Sequence, residues 1–386
     1  MRLLHLIATV DPASGGPIEG LVRQNEVTRD AVVREVASLD APDAAFLSAF
    51  PMPVHALGTG RGGRFSRYGY TPRFVPWLRE NAHKYDAVVV HGLWNYVAMG
   101  ASRVLPGGRT PYFVFTHGMM DPWFRQTYPL KHWLKQLFWW IGEGRVAAGS
   151  KRVFFTCEEE RRQARGVFLG HRYPEEVVGY GAVDPPAATT AQAKAFQDAT
   201  PGLRGRRYAL FLSRIHRKKG CDLLVEAFAR VAKEQPDLDL VMAGPDATDW
   251  RPELEALAAR LDVADRIHWP GPLFGDAKWG AMRGAEVFIL PSHQENFGIA
   301  VAEALACGAA VLISDKVNIW REVEAGGAGL VAADDLDGTE SLLRRWCALS
   351  PEEKDGMRRS ARALFERSFD VRNTAPALIS TIRSLL

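Results

Sequence analysis

Short apolar runs alternate with longer amphipathic segments over almost the whole chain, the pattern of βαβ units laid on a parallel sheet. In the first half the runs are LLHLIA (3–8), VVREVASL (32–39), AVVVHG (87–92), YFVFTHG (112–118) and RVFFTC (152–157). The stretch AATTAQAKAFQDATPGLRGRR then loses β character and carries Pro and Gly, as a connector would. The pattern restarts with YALFLSR (208–214), LDLVMAG (238–244), RIHWPG (266–271), EVFILPS (286–292) and AAVLIS (309–314). Beyond about residue 337 only helical periodicity remains. The expected fold class is α/β, with two doubly wound, Rossmann-like domains. Residues 1–184 form the first domain, 185–206 the linker and 207–368 the second domain, and a last helix, 369–386, returns to the first. Such folds place ligands at the carboxyl ends of their strands, and two of them imply a central cleft.

Composition changes this picture little. At 386 residues and 47% hydrophobic, the chain can bury two ordinary cores. MRLLHLIATV is too short an apolar run for a leader and reads as a first buried strand. Longer apolar stretches break before the roughly 18 residues that span a bilayer. Cys157, Cys221, Cys307 and Cys347 are scattered, without a C-x-x-C pair, so a reducing, cytoplasmic setting is expected. Charge is more informative. The net charge is only +3, yet residues 61–152 hold fourteen Lys or Arg against four acids. An anionic partner is expected to meet this half. No helix-turn-helix, zinc-finger or RNP signature accompanies the basic residues, so nucleic acid is not expected. A membrane surface or a phosphate-bearing substrate suits them better.

The chemistry concentrates in ILPSHQENFGIAVAEALACGAAVLIS (289–314). A strand should end near Ser292 and a helix run from about Phe297 or Gly298 to Gly308. Asn296, Phe297, Gly298 and Ile299 would then form a helix mouth whose free N–H groups receive an anion, with Gly298 allowing close approach. Glu295 lies in the loop and Glu303 inside the helix. A lone helical Glu ordinarily faces water, but GIAVAEALACG has no other charge, and an unpaired buried Glu is costly. A neutral, hydroxyl-rich ligand carrying phosphate, such as a nucleotide sugar, fits two carboxylates around an anion site.

These residues resemble the E-x7-E motif of retaining GT-B glycosyltransferases, most like family 4, over some eighteen residues, PSHQENFGIAVAEALACG. Ala310 stands where that family usually has Pro. LSRIHRKKGCDLLVEAF (212–228) resembles the family's G-R-x4-K-G segment, with Arg214 and Lys219 as its basic pair and Ser213 replacing the first Gly. Two cations after a strand suit a departing diphosphate. Gly15 and Gly16 in ATVDPASGGPIEGLVRQ feed a helix N-terminus, which the resemblance places against the donor diphosphate. It also implies that His117, in THGMMDPW, lies by the transferred sugar. His91, Trp94, Arg61, Arg64 and Arg67 are acceptor-side candidates.

The resemblance implies transfer of a hexose, with retention, from a UDP- or GDP-sugar to a hydroxyl acceptor, and the basic first half favours a lipid-linked or polysaccharide acceptor of the bacterial envelope. Arg214, Lys219 and Glu295 would act with His117 in catalysis, while Glu303 would hold the ribose. No cofactor is expected beyond the nucleotide-sugar substrate. Asp237-Leu-Asp239 is a D-x-D string at a strand start without a second acid cluster, so no metal is expected. Gly58, Gly60 and Gly63 mimic a dinucleotide fingerprint but open a basic loop. A sugar phosphorylase or epimerase, an NAD-dependent oxidoreductase and a bilobal solute-binding protein are the alternative classes. The segment WFRQTYPLKHWLKQLFWWIGEGR (123–145) reads equally as an amphipathic helix on the sheet and as a peripheral contact with an anionic membrane.

Overall fold

A computed structural model describes residues 1–60, 68–203 and 205–386. The chain divides into two units, Met1–Gly181 with Val371–Leu386, and Ala182–Asp370. Each is built on one parallel sheet.

The first sheet holds β1 (Arg2–Ile7), β2 (Val33–Ser38), β3 (Val54–Ala56), β4 (Ala87–His91), β5 (Tyr112–Phe115), β6 (Arg152–Phe155) and β7 (Glu175–Val177), in the order β3-β2-β1-β4-β5-β6-β7. The second holds β8 (Arg207–Leu212), β9 (Leu238–Ala243), β10 (Ile267–Gly271), β11 (Val287–Leu290), β12 (Val311–Ser314) and β13 (Gly329–Ala332), ordered β10-β9-β8-β11-β12-β13. Central strands such as VVV in β4 and VFIL in β11 are fully buried because helices cover both faces. Strand order reverses between β1 and β4 in one sheet and between β8 and β11 in the other. Such switch points open a crevice at the strands' carboxyl ends.

The edge strands β3, β7 and β13 are three or four residues long and partly exposed; no hydrophobic run announced β3 or β7, and the short run AGLVAA at β13 is not among the strands expected from the sequence. Residues 185–206, expected as a connector, contribute helix Thr190–Ala199, which packs on helix Gly275–Gly284 inside the second unit. The approach is close: a Cβ on Gly280 would stand 2.0 Å from Gln192 O. The last helix, Val371–Ser384, packs on helix Gly16–Thr28 of the first unit, and Arg383 donates to Ala31 O (3.1 Å). Among the described residues no helix is long and apolar enough to cross a membrane.

Candidate functional site

In the second unit the loops after β8 and β11 are fastened together at the switch point. Gly220 adopts φ 63°, and a Cβ there would meet Pro291 O at 2.2 Å, so glycine lets the R-K-K-G turn lie against the end of β11. His293 N–H and Ser292 Oγ both donate to Lys218 O (2.8 and 2.9 Å). Lys219, only 6% exposed, thereby reaches the Glu295 carboxylate and pairs with it. Glu295 is held in turn by its own backbone, donating to Lys316 O (3.0 Å) and accepting from Asn318 N–H (3.0 Å).

The helix begins at Ile299, with Gly298 as its left-handed cap at φ 75°, and ends at Ala306. Val301 and Ala302 are the first residues to donate back to Gly298 O (2.8 and 3.1 Å), so the N–H groups of Gly298 and Ile299 precede the intrahelical ladder. Glu303 is buried on this helix and pairs with Lys278 at 2.9 Å, a partner the sequence did not suggest. Arg214 is exposed on the loop after β8 and has no side-chain partner among the described residues. The local field is positive. Burial, and then the charges of Arg214, Lys218, Lys219 and Arg217, hold the His216 imidazole below its ordinary range.

Asp239 of the D-x-D string is committed elsewhere, accepting from Arg206 (3.0 Å) and Arg266 (2.7 Å) and bonded to His268 (2.9 Å).

In the first unit a cavity of about 110 Å³ opens at the switch point between β1 and β4. His91, His117, Asn95, Ser14 and Pro17 are among its lining residues. Gly15 has φ 73° and stands before helix Gly16–Thr28, with open space where either Gly15 or Gly16 would carry a Cβ. Tyr180 Oη donates to Gly16 O (2.9 Å), fixing this helix start. His117 follows β5 at φ 50°, a left-handed conformation that costs a non-glycine residue about 1–2 kcal/mol. Its Nε2 lies 2.9 Å from His91 Nδ1. Burial and the His91 neighbour hold the His117 pKa well below the usual histidine range, and burial takes His91 to about 4.

Trp94 is not among the residues lining this cavity. Its indole N–H donates to Met119 O (3.1 Å) and its ring packs near Phe168 and Trp139. Asn95, overlooked in the sequence, lines the cavity and caps helix Tyr96–Ala101 by accepting from Val97 N–H (2.9 Å). Arg61, Arg64 and Arg67 lie outside the described residues. Gly58 of the false dinucleotide fingerprint donates to Asp40 O (2.8 Å) and stands in a loop.

Comparison with known proteins places these sites in context. The model for glycosyl transferases group 1 matches residues 194–362, and that for the glycosyl transferase 4-like domain matches residues 23–181. A D-inositol 3-phosphate glycosyltransferase from Actinosynnema mirum is 30% identical over 237 residues, covering 56% of this chain and 54% of the relative. A phosphatidyl-myo-inositol mannosyltransferase from Mycolicibacterium smegmatis is 33% identical over 179 residues, 45% of each chain. The matches thus span about half the length of these curated relatives. Among solved structures, HepE from Anabaena in complex with UDP aligns over 100% of both chains with a TM-score of 0.79 at 18% identity. Sucrose-phosphate synthase from Thermosynechococcus elongatus aligns at 0.78, with 19% identity over 100% of this chain and 98% of that one. The two family models between them take in most of the chain and every strand of its two sheets except β1, and the chain belongs to the glycosyltransferases of the GT-B fold, family 4 type.

Proposed function

We propose that the protein transfers a hexosyl group from a UDP- or GDP-sugar to a hydroxyl of a lipid-linked or saccharide acceptor, with retention and without a metal ion. The observation that carries this reading is the joined pair Lys219 and Glu295 beside the open helix start at Gly298, with Glu303 one and a half turns further in. A cation, amides that precede the intrahelical ladder and two carboxylates are the kinds of group that the diphosphate and hydroxyls of a nucleotide sugar require.

In the proposed mechanism Arg214, Lys219 and the N–H groups at Gly298 and Ile299 receive the diphosphate, whose charge grows as the sugar C1–O bond breaks. Glu295 accepts from sugar hydroxyls and Glu303 from the ribose. The acceptor oxygen bonds to C1 on the face the phosphate leaves, and its proton passes to the leaving phosphate. His117 hydrogen-bonds the transferred sugar from the first unit's cavity, and Gly15 and Gly16 bring backbone to a phosphate. Because Asp239 is occupied by three basic side chains, the diphosphate charge falls to Arg214 and Lys219 rather than to an aspartate-held cation.

A phosphate-bearing or lipid-linked acceptor is supported by the basic surplus of residues 61–152 and by relatives named for D-inositol 3-phosphate and phosphatidyl-myo-inositol. Peripheral membrane contact is supported by helix Pro129–Phe138 and the turn after it. These leave Leu130, Trp133, Leu134, Leu137 and Ile141 between 49% and 85% exposed, beside Lys131 and Lys135. Apolar side chains flanked by cations fit an anionic bilayer. The test is a panel of UDP- and GDP-sugars scored by thermal shift, followed by transfer assays in which NMR reads the anomeric configuration of the product. No stabilisation by any nucleotide sugar, or an inverted product, overturns the proposal.

A further inference from the structure

Three imidazoles form a continuous chain across adjacent strands of the first sheet. His5 Nδ1 lies 2.8 Å from His91 Nε2, and His91 Nδ1 lies 2.9 Å from His117 Nε2. Ring centroids are 5.1 and 5.2 Å apart and the ring planes are only 30° and 14° from parallel, so the rings meet edge to edge. Register explains the alignment. His5 pairs with Val89 and His91 with Phe115, so the histidines advance two residues per strand, on one face of β1 and β4 and just past β5.

Burial holds all three pKa values below the ordinary histidine range, so each ring carries one hydrogen at neutral pH. Three one-hydrogen rings joined by two N···N contacts must all donate in the same direction. The chain therefore has two states, and its far end selects between them. There His5 Nε2 faces a small cavity shared with Arg34, Gln24 and Leu378, among others. Arg34 is 3% exposed, and its Nε and Nη1, like His5 Nε2, have no hydrogen-bond partner among the described residues. A guanidinium only donates. A hydrogen on His5 Nε2 would add another positive dipole beside that charge, whereas a bare Nε2 presents a lone pair to it.

We infer that Arg34 is a positioning residue that sets the tautomer of His117 through His5 and His91. With Nε2 of His5 bare, Nδ1–H of His5 donates to His91, Nδ1–H of His91 donates to His117 Nε2, and His117 keeps its hydrogen on Nδ1. That nitrogen has no partner among the described residues, so His117 offers a hydrogen-bond donor to an oxygen of the ligand rather than an acceptor. The role for this donor rests on the proposed contact between His117 and the transferred sugar.

The experiment is a long-range ¹H–¹⁵N correlation spectrum of the full chain labelled at histidine, with assignment by single His→Gln variants. Wild type is expected to show His117 and His91 protonated on Nδ1. Arg34→Met is expected to mix or invert the His117 tautomer, to lower kcat by about tenfold, the cost of one misdirected hydrogen bond, and to leave the donor KM nearly unchanged. Arg34→Lys, which keeps the charge, restores both. Should Arg34→Met not fold, His5→Phe breaks the chain at its next link and predicts the same tautomer change. His117 carrying its hydrogen on Nε2 in wild type, or an unchanged tautomer in a folded Arg34→Met or His5→Phe variant, overturns the inference. The spectrum needs no substrate, so it decides the inference independently of whether His117→Ala impairs transfer.

Discussion

Lys219 is one of few cations in the second unit whose ammonium is almost fully removed from water, and it spends that burial on Glu295. If the ammonium takes charge from a leaving diphosphate, Lys219→Ala lowers kcat by about 10²–10³. Steady-state assays at saturating donor check this, and near-wild-type turnover contradicts the role. Glu303→Gln keeps the shape of the side chain but leaves Lys278 beside a neutral amide. Calorimetry should then find UDP or GDP bound about tenfold or more weakly, because a charged hydrogen bond to a hydroxyl is lost. Affinity unchanged from wild type for both nucleotides would remove Glu303 from the ribose. The E-x7-E spacing made Glu295 and Glu303 legible in the sequence, since that reading needed only a buried helix with one charge. Lys278 was not legible: it is 25 residues distant and nothing local marks it as a partner.

At the scale of elements, turns decide where the side chains stand. Gly220→Ala must place a methyl group 2.2 Å from Pro291 O in a left-handed conformation. The left-handed strain alone costs about 1–2 kcal/mol. Chemical denaturation should show at least that loss, and turnover should fall with it as Lys219 leaves Glu295. A second element carries a pH signature. The π-helical turn Trp139–Glu143 buries Glu143 completely, and burial pushes its carboxyl up to about 7. A carboxyl raised in the folded state contributes stability below its unfolded pKa, near 4.5, and loses it as pH rises through 7. Its share is about 3 kcal/mol at roughly 1.4 kcal/mol per pKa unit. Glu143→Gln should flatten melting temperature between pH 4.5 and 7 and raise it above pH 7. An unchanged pH slope refutes the assignment. The apolar pattern announced the strands at the centre of each sheet, where burial on both faces demands continuous hydrophobic runs. It missed β3 and β7, which bury too little of their surface to need one, and β13, whose apolar run is only a few residues long.

For the whole molecule, the exposed Leu130, Trp133 and Leu134 form a surface that water does not favour. Co-sedimentation with vesicles containing phosphatidylglycerol should capture the protein, and 0.5 M salt should release much of it, since the Debye length there is only about 4 Å. Trp133→Ser with Leu134→Ser should abolish capture while leaving transfer to a water-soluble acceptor intact. Equal capture by neutral vesicles would contradict an electrostatic share. Transfer is also expected to persist in excess chelator if, as proposed, Arg214 and Lys219 receive the diphosphate charge, and loss of activity would defeat that expectation.

The sequence by itself determined the α/β class, the two βαβ halves and the E-x7-E and R-x4-K-G residues, because each follows from local periodicity or from a motif read along the chain. Tertiary structure alone decided that Lys219 pairs with Glu295, that Lys278 serves Glu303, and that His5, His91 and His117 join in line. The histidine line depends on strand register between residues 86 and 26 apart in sequence, and the two ion pairs depend on which loops and helices the second sheet brings together. Periodicity records which face a residue occupies, and only strand pairing records which residues on that face become neighbours.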